Sequence, residues 1–188
     1  MRVVKKPEER RAEMVAAASK LFAQQGFIRT SVAEIVSAVD VAKGLFYYYF
    51  TTKDDMVRAV VEGYAGYLGA QAQAIADGEG TAQEKFKRLM RHEAWENCFT
   101  QPMLEDLCLP QHAALYSDMC DRVVEHMRPA VEAITAQAFA ERGMDDAQAG
   151  SLAGVAMYGV LMMARRGEMS MDSVSGIFAR LSGLDMKA

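Results

Sequence analysis

Three capping pairs constrain what this chain can fold into more than any other feature. Ser31 with Glu34, Thr52 with Asp55 and Thr81 with Glu84 each place a hydroxyl three residues ahead of a carboxylate. In that spacing each side chain satisfies a backbone N–H that a helix start leaves orphaned. Apolar residues recur at helical intervals between these starts. Met14, Ala17, Ala18, Leu21 and Phe22 mark a first helix, and Gly26 supplies its stop. Val32, Ile35, Val36 and Val39 mark a short second helix, and a third runs from about 42 to 50 with Phe46 and Phe50 on one face. A long helix through Met56, Val60, Tyr64 and Leu68 ends at the run Asp77, Gly78, Glu79, Gly80, and a fifth carries Phe86, Leu89, Met90 and Trp95. Pro102 and Pro110 divide the next region into short pieces. Leu115, Met119, Val123, Met127, Val131, Ile134 and Ala138 mark one long helix ending at Gly143, with a kink expected at Pro129. Two more helices are expected at about 145–166 and 171–181. Alternating runs of the kind that make strands are almost absent, so the fold class is all-α, three small helices followed by a bundle of about six.

Composition narrows the function. The chain has 188 residues, 51% of them hydrophobic and 24% charged, which suits a globular fold with a sizeable core. Net charge is −4, but it is unevenly spread. Residues 1–58 hold ten Lys or Arg against seven Asp or Glu, giving +3; the remainder hold eleven against eighteen, giving −7. A basic head on an acidic body is expected where only the head meets phosphate. Three cysteines are too few, and odd in number, for a disulfide framework. The N-terminus lacks the apolar run of a signal peptide. The uncharged stretch from Ala147 to Ala164 just reaches the length of a membrane span. It contains Gln148, Ser151 and three glycines, and reads as a helix buried between protein surfaces. The expected location is the cytoplasm, with no membrane partner.

The third helix carries the sharpest chemical signal. It reads Lys43, Gly44, Leu45, Phe46, Tyr47, Tyr48, Tyr49, Phe50. Phe46 and Phe50 point the same way and anchor the core, and a helix cannot bury three consecutive tyrosines on one side as well. At least one or two hydroxyls must face outward. Lys43 offers a full charge to phosphate, Gly44 lets the backbone approach closely, and Leu45 could touch a thymine methyl. Two short helices joined by a four-residue turn form the unit that lays its second helix in the major groove of duplex DNA. The domains are therefore 1–55, a helix-turn-helix domain with its motif at about 31–50, and 56–188.

The spacing Ala17, Ala18, Leu21, Phe22, Gly26, Phe27, Thr30, Ser31, Ile35, Val36, Val39, Val41, Ala42, Lys43, Gly44, Phe46, Tyr47, Tyr48, Tyr49, Phe50, Lys53 resembles the DNA-binding domain of the TetR family of bacterial regulators. The resemblance covers about 50 of the 188 residues. It implies a homodimer of nine-helix subunits, a pseudo-palindromic operator, and a C-terminal domain in which a small effector controls DNA affinity. It also implies that Thr30 or Ser31, Lys43, Tyr47, Tyr48, Tyr49 and Lys53 occupy DNA-contacting positions. Three residues depart from the family pattern. Asp40 stands where a small residue, often glycine, is usual; Ala42 replaces a serine cap; and Leu45 replaces Thr or Ser.

In that scaffold the last two helices would form the dimer interface. Leu152, Val155, Ala156, Gly159 and Met163 supply one apolar face, with Gly150 and Gly154 permitting close approach, and Val174, Ile177, Phe178 and Leu181 supply the other. Fourteen methionines suggest an adaptable interior. Tyr64, Tyr67, Phe86, Met90, Trp95, Phe99, Met103, Met119 and Met127 fall on the helices that would enclose a largely apolar effector. All three cysteines and all three histidines lie between His92 and His126, but Cys98, Cys108 and Cys120 form no paired metal-ligand spacing. His92 and Glu93 open a zinc-protease-like run that lacks its second histidine. No metal and no cofactor is expected. The reading is a DNA-binding regulator, a repressor and not an enzyme; the alternatives are the same scaffold sensing a metal or thiol oxidation, and, more distantly, a helical enzyme.

Overall fold

The computed structural model describes residues 6–91 and 98–143, together with Ser151, Val155 and Gly159. Among the described residues there are seven α-helices and no strand. Helix α1 spans Pro7–Gln25, with proline in its first turn, where no N–H is needed, and Glu8 and Glu9 at the positive end of its dipole. Gly26 ends it at φ 79°, ψ 163°, a conformation essentially closed to residues with a Cβ. Helix α2 covers Val32–Ala38 and α3 covers Lys43–Tyr49. Helix α4 runs unbroken over Lys53–Asp77, α5 over Ala82–Met90, and α6 over Gln101–Leu107. A 3-10 turn at Pro110–His112 leads into α7, Ala113–Glu141.

All three capping pairs form. Ser31 Oγ accepts from the Glu34 N–H at 3.2 Å, while Glu34 Oε2 accepts from the Ser31 N–H at 2.7 Å. Thr52 with Asp55 and Thr81 with Glu84 repeat the exchange. Helix α7 continues through Pro129, which lies on its exposed side, where water can meet the carbonyl left without a partner. The expected helices at about 145–166 and 171–181 lie outside the described residues. So do Trp95, His92 and the interface candidates Leu152, Ala156, Met163, Val174, Ile177, Phe178 and Leu181. Val155 is helical and 74% exposed, and Gly159 is exposed with open space around it. No described helix is long and apolar enough to cross a membrane.

The chain divides into two compact units. The first comprises Met1–Tyr64 and Glu96–Met119 and takes in α6 with the N-terminal helices. Its core is aromatic: Phe22, Phe27, Phe46 and Phe50 are buried with Met14, Ile35, Met56 and Val57. Each such side chain contributes about 1.5–3 kcal/mol by leaving water.

The second unit comprises Ala65–Trp95 and Cys120–Ala188. Leu68 and Ala72, Phe86 and Leu89, and Met127, Val131, Ile134 and Ala138 are buried there. A Cβ on Gly69 would lie 2.7 Å from the His126 carbonyl oxygen, so the α4 and α7 backbones meet more closely than any side chain permits. Lys85 is buried, its Nζ donating to the Ala76 carbonyl and to Gln137 Oε1, each at 2.8 Å. Gln137 Nε2 in turn donates to the Gly80 carbonyl and to Glu141 Oε1, and Glu141 accepts from the Ala82 N–H at the start of α5.

Candidate nucleic-acid interface

Helix α3 is short, and its orientation follows from which rings can sink. Phe46 is fully buried and Phe50 nearly so, their centroids 5.5 Å apart. With those two fixed, the helix turns Lys43, Gly44, Tyr47 and Tyr48 outward. Tyr47 is 52% exposed and Tyr48 74%, while Leu45 and Tyr49 are half-buried. Lys43 Nζ lies 6.0 Å above the Tyr47 ring, and Tyr48 packs edge-on against Tyr49 at 4.9 Å. One exposed strip thus carries a cation, a glycine and two phenols.

The start of α3 is lightly held. Ala42, its N-cap residue, makes no side-chain cap bond. Asp40 in the preceding turn has φ 50°, the left-handed region that glycine enters most readily. Two of the three departures noted in the sequence, Asp40 and Ala42, therefore have a physical counterpart. The Asp40 and Val41 N–H groups donate to the Ser37 and Val36 carbonyls at 3.2 and 3.0 Å.

The α1–α2 turn is different. Thr30, expected as one of two alternative DNA contacts, is instead fully buried, its Oγ1 donating to the Gly26 carbonyl at 2.7 Å. A buried hydroxyl cannot meet a phosphate without opening the turn. Ser31 is exposed, though its hydroxyl serves the α2 cap. The Ser31 N–H, then the Ser31 hydroxyl and the Gln25 amide hold the Glu34 carboxyl below its usual pKa. Lys53 is half-buried and points inward: Nζ donates to the Ile28 and Thr30 carbonyls at 3.2 and 3.3 Å.

Residues remote in sequence complete this turn, and nothing in the local pattern marks them. Asp106 Oδ2 accepts from the Ile28 N–H at 2.8 Å, and Thr100 Oγ1 donates to the Ala23 carbonyl at 2.9 Å. His112 Nδ1 is 2.7 Å from the Asp106 carbonyl, and its ring lies 5.0 Å from that of Phe27. Arg11 sits 5.0 Å above the Phe50 ring. The only sequence clue is Gly26, where any Cβ would strike the Asp106 carboxylate and lie 3.1 Å from the Pro102 carbonyl.

The residues expected to enclose an effector fall in both units. Tyr64, Phe99, Met103 and Met119 belong to the first, Tyr67, Phe86, Met90 and Met127 to the second. Phe86, Met103, Met119 and Met127 are buried and Tyr64, Met90 and Phe99 half-buried, but Tyr67 is 50% exposed. Tyr64 hydrogen-bonds Ser19 Oγ at 2.7 Å and packs edge-on to Phe99; burial raises its phenol pKa. Cys98 and Cys120 are buried and Cys108 is exposed, and burial pushes the Cys98 thiol up, away from the reactive thiolate. Among the described residues no three His, Cys, Asp or Glu are grouped to hold a metal ion.

Comparison with known proteins agrees with this geometry. Residues 14–60 match the model for bacterial regulatory proteins of the tetR family. The HTH-type transcriptional regulator HbdR of Aromatoleum sp. (strain CIB) is 29% identical over 121 residues, 62% of this chain and 49% of that protein. The HTH-type transcriptional repressor KstR2 of Mycobacterium tuberculosis is 28% identical over 88 residues, 47% of this chain and 44% of its own. The chain thus spans about half the length of these curated relatives. In fold it is similar to RolR in complex with resorcinol, with a TM-score of 0.61 at 19% identity over 96% of this chain and 91% of that one. These curated relatives are transcriptional regulators, and residues 14–60 of this chain are similar to the helix-turn-helix segment of the tetR family.

Proposed function

We propose that the chain is a homodimeric repressor that binds a pseudo-palindromic duplex operator and leaves it when a small effector binds. The observation that carries the reading is the outward strip on α3: Lys43, Gly44, Tyr47 and Tyr48 exposed above a buried Phe46. Lys43 meets phosphate, Leu45 and the tyrosine rings meet the groove, and Ser31 lies at the edge of the contact. The +3 balance of residues 1–58 supports duplex binding through that face. Residues 1–55 form the DNA-binding domain in this reading, and 56–188 serve the effector and the dimer. Exposed Val155 and Gly159 suit a face that a second copy covers.

The effector is small and largely apolar. Buried Phe86 and Met127, both in the second unit, are side chains suited to it, and the half-exposed Tyr67 is left out. RolR, similar in fold, has been solved in complex with resorcinol, a small aromatic molecule. The protein works in the cytoplasm, where its DNA is, and no catalytic step is assigned to it.

The test is selection of duplexes from a random pool, followed by titration across salt. Affinity should fall steeply with salt, and Lys43→Ala should weaken all sequences alike and lower the log–log salt slope by about one. Binding that ignores salt, or a preference for single strands, would overturn the proposal.

A further inference from the structure

Three polar residues are buried among those described, Thr30, Lys85 and Thr135, and of these Thr135 alone has an unpartnered side chain. Thr30 donates its hydroxyl to the carbonyl four residues back, that of Gly26, at 2.7 Å. Lys85 has two acceptors, each at 2.8 Å. Thr135 is 2% exposed, and its Oγ1 has no hydrogen-bond partner among the described residues, the Val131 carbonyl four residues back included. A buried hydroxyl gives up its water and recovers nothing without a partner, so such a group is rare and calls for an explanation.

Thr135 stands in a ridge of four on α7. Met127, Val131, Thr135 and Phe139 follow at four-residue intervals, which stacks them along one side of the helix, and all are buried. They belong to the second unit, as does the buried Phe86. Gln137, which bonds Lys85 and the Gly80 carbonyl, is turned about 160° from Thr135 around the helix axis. The polar contacts that join α7 to α5 and the end of α4 therefore face another way. What remains is an apolar ridge with one group that can both donate and accept a hydrogen bond.

We propose that Thr135 is the hydrogen-bonding residue of the effector site, and that the effector is a neutral, apolar molecule carrying one hydroxyl group. The inference deepens the effector reading above and rests on it. The hydrocarbon part of the effector lies against Met127, Val131 and Phe139, and its hydroxyl meets Thr135 Oγ1. Small-molecule sites are built this way, with apolar walls and a few placed polar groups that set orientation. A hydroxyl fits because, like that of threonine, it gives one hydrogen bond and takes another. A carboxylate does not fit, since the ridge offers no cation to offset the cost of burying its charge. The same hydroxyl destabilises the protein when it bonds nothing. Its removal should therefore act with opposite signs on stability and on binding, which the loss of a purely structural hydrogen bond would not do.

The experiment titrates the full chain with p-cresol, p-xylene and p-toluate, read by calorimetry and by the shift in melting temperature. The three are one tolyl ring carrying a hydroxyl, a methyl or a carboxylate. Wild type should bind p-cresol about tenfold more tightly than p-xylene, and p-toluate most weakly. Thr135→Val keeps the shape of the side chain; it should melt no lower than wild type and lose the preference for p-cresol. Thr135→Ser keeps the hydroxyl and should keep the preference. Equal affinity of wild type for p-cresol and p-xylene, tightest binding of p-toluate, or a preference that survives in Thr135→Val would each overturn the assignment without touching the proposal that a small effector binds. A lower melting temperature of Thr135→Val, or its failure to fold, would show that the hydroxyl is bonded within the chain and would overturn it too. If none of the three binds, the effector reading falls and this site falls with it.

Discussion

Between α1 and α2 the chain is held by side chains arriving from several directions, whereas between α2 and α3 it is held by backbone hydrogen bonds. The first turn has Asp106 and Lys53 on Ile28, Thr30 on Gly26, and the Arg29 guanidinium on the Gln25 carbonyl at 2.8 Å. The second has an aspartate in the left-handed region and an alanine at the cap of α3. The two turns flank the same seven-residue helix. A head assembled this way fixes where α2 sits and leaves the first turn of α3 without a side-chain cap, so that, if the head binds DNA as proposed, part of its ordering would fall to the DNA. Ordering on contact lowers affinity but leaves the side chains free to adjust to the bases.

The largest test of this contrast is Gly26→Ala. It forces a Cβ into a glycine-only conformation and against Asp106, and should lower unfolding free energy by about 3 kcal/mol. Chemical denaturation measures it, and a loss below half that would show that the turn yields easily. In the opposite direction, Ala42→Ser supplies the missing cap and should add about 1 kcal/mol. If ordering of α3 is part of binding, operator affinity should rise as well. A stabler protein with unchanged affinity would show that α3 is already formed before it meets DNA.

The smallest effect concerns pH. The Glu34 carboxyl is held below its ordinary 4.5 in the folded protein by the Ser31 N–H and hydroxyl. Its contribution is therefore present above 4.5 and lost as pH falls through the lowered folded value. Glu34→Gln should be slightly less stable than wild type at pH 7, and the gap should close in acid. A gap that stays constant with pH would mean that the amide caps α2 as well as the carboxylate does.

The two turns were not equally legible in the sequence. The α2–α3 turn was more legible: the family resemblance marked Asp40 in place of glycine and Ala42 in place of serine, and local spacing gave the Ser31–Glu34 pair one helix earlier. Phe46 and Phe50 were also readable as anchors, since four-residue spacing fixes their common face. The α1–α2 turn was readable only as a glycine stop. Ile28 and Asp106 are 78 residues apart, and no helical period connects them. Thr30 and Lys53 sit at positions where the family resemblance implied DNA contacts. What turns them inward is a set of backbone carbonyls that become available only once the turn is folded. The contacts between α1 and α6 likewise have no trace in local spacing.

The polar chain around Lys85 has a consequence for how the second unit comes apart. The Ala76 carbonyl, Lys85, Gln137, Glu141 and the Ala82 N–H form a run of contacts joining the end of α4, the start of α5 and the last turns of α7. No one of those helices can fray there while the others stay put, because withdrawing it strands a buried ammonium or its partners. Three termini that would ordinarily loosen one at a time are thereby made to open together, as one cooperative patch.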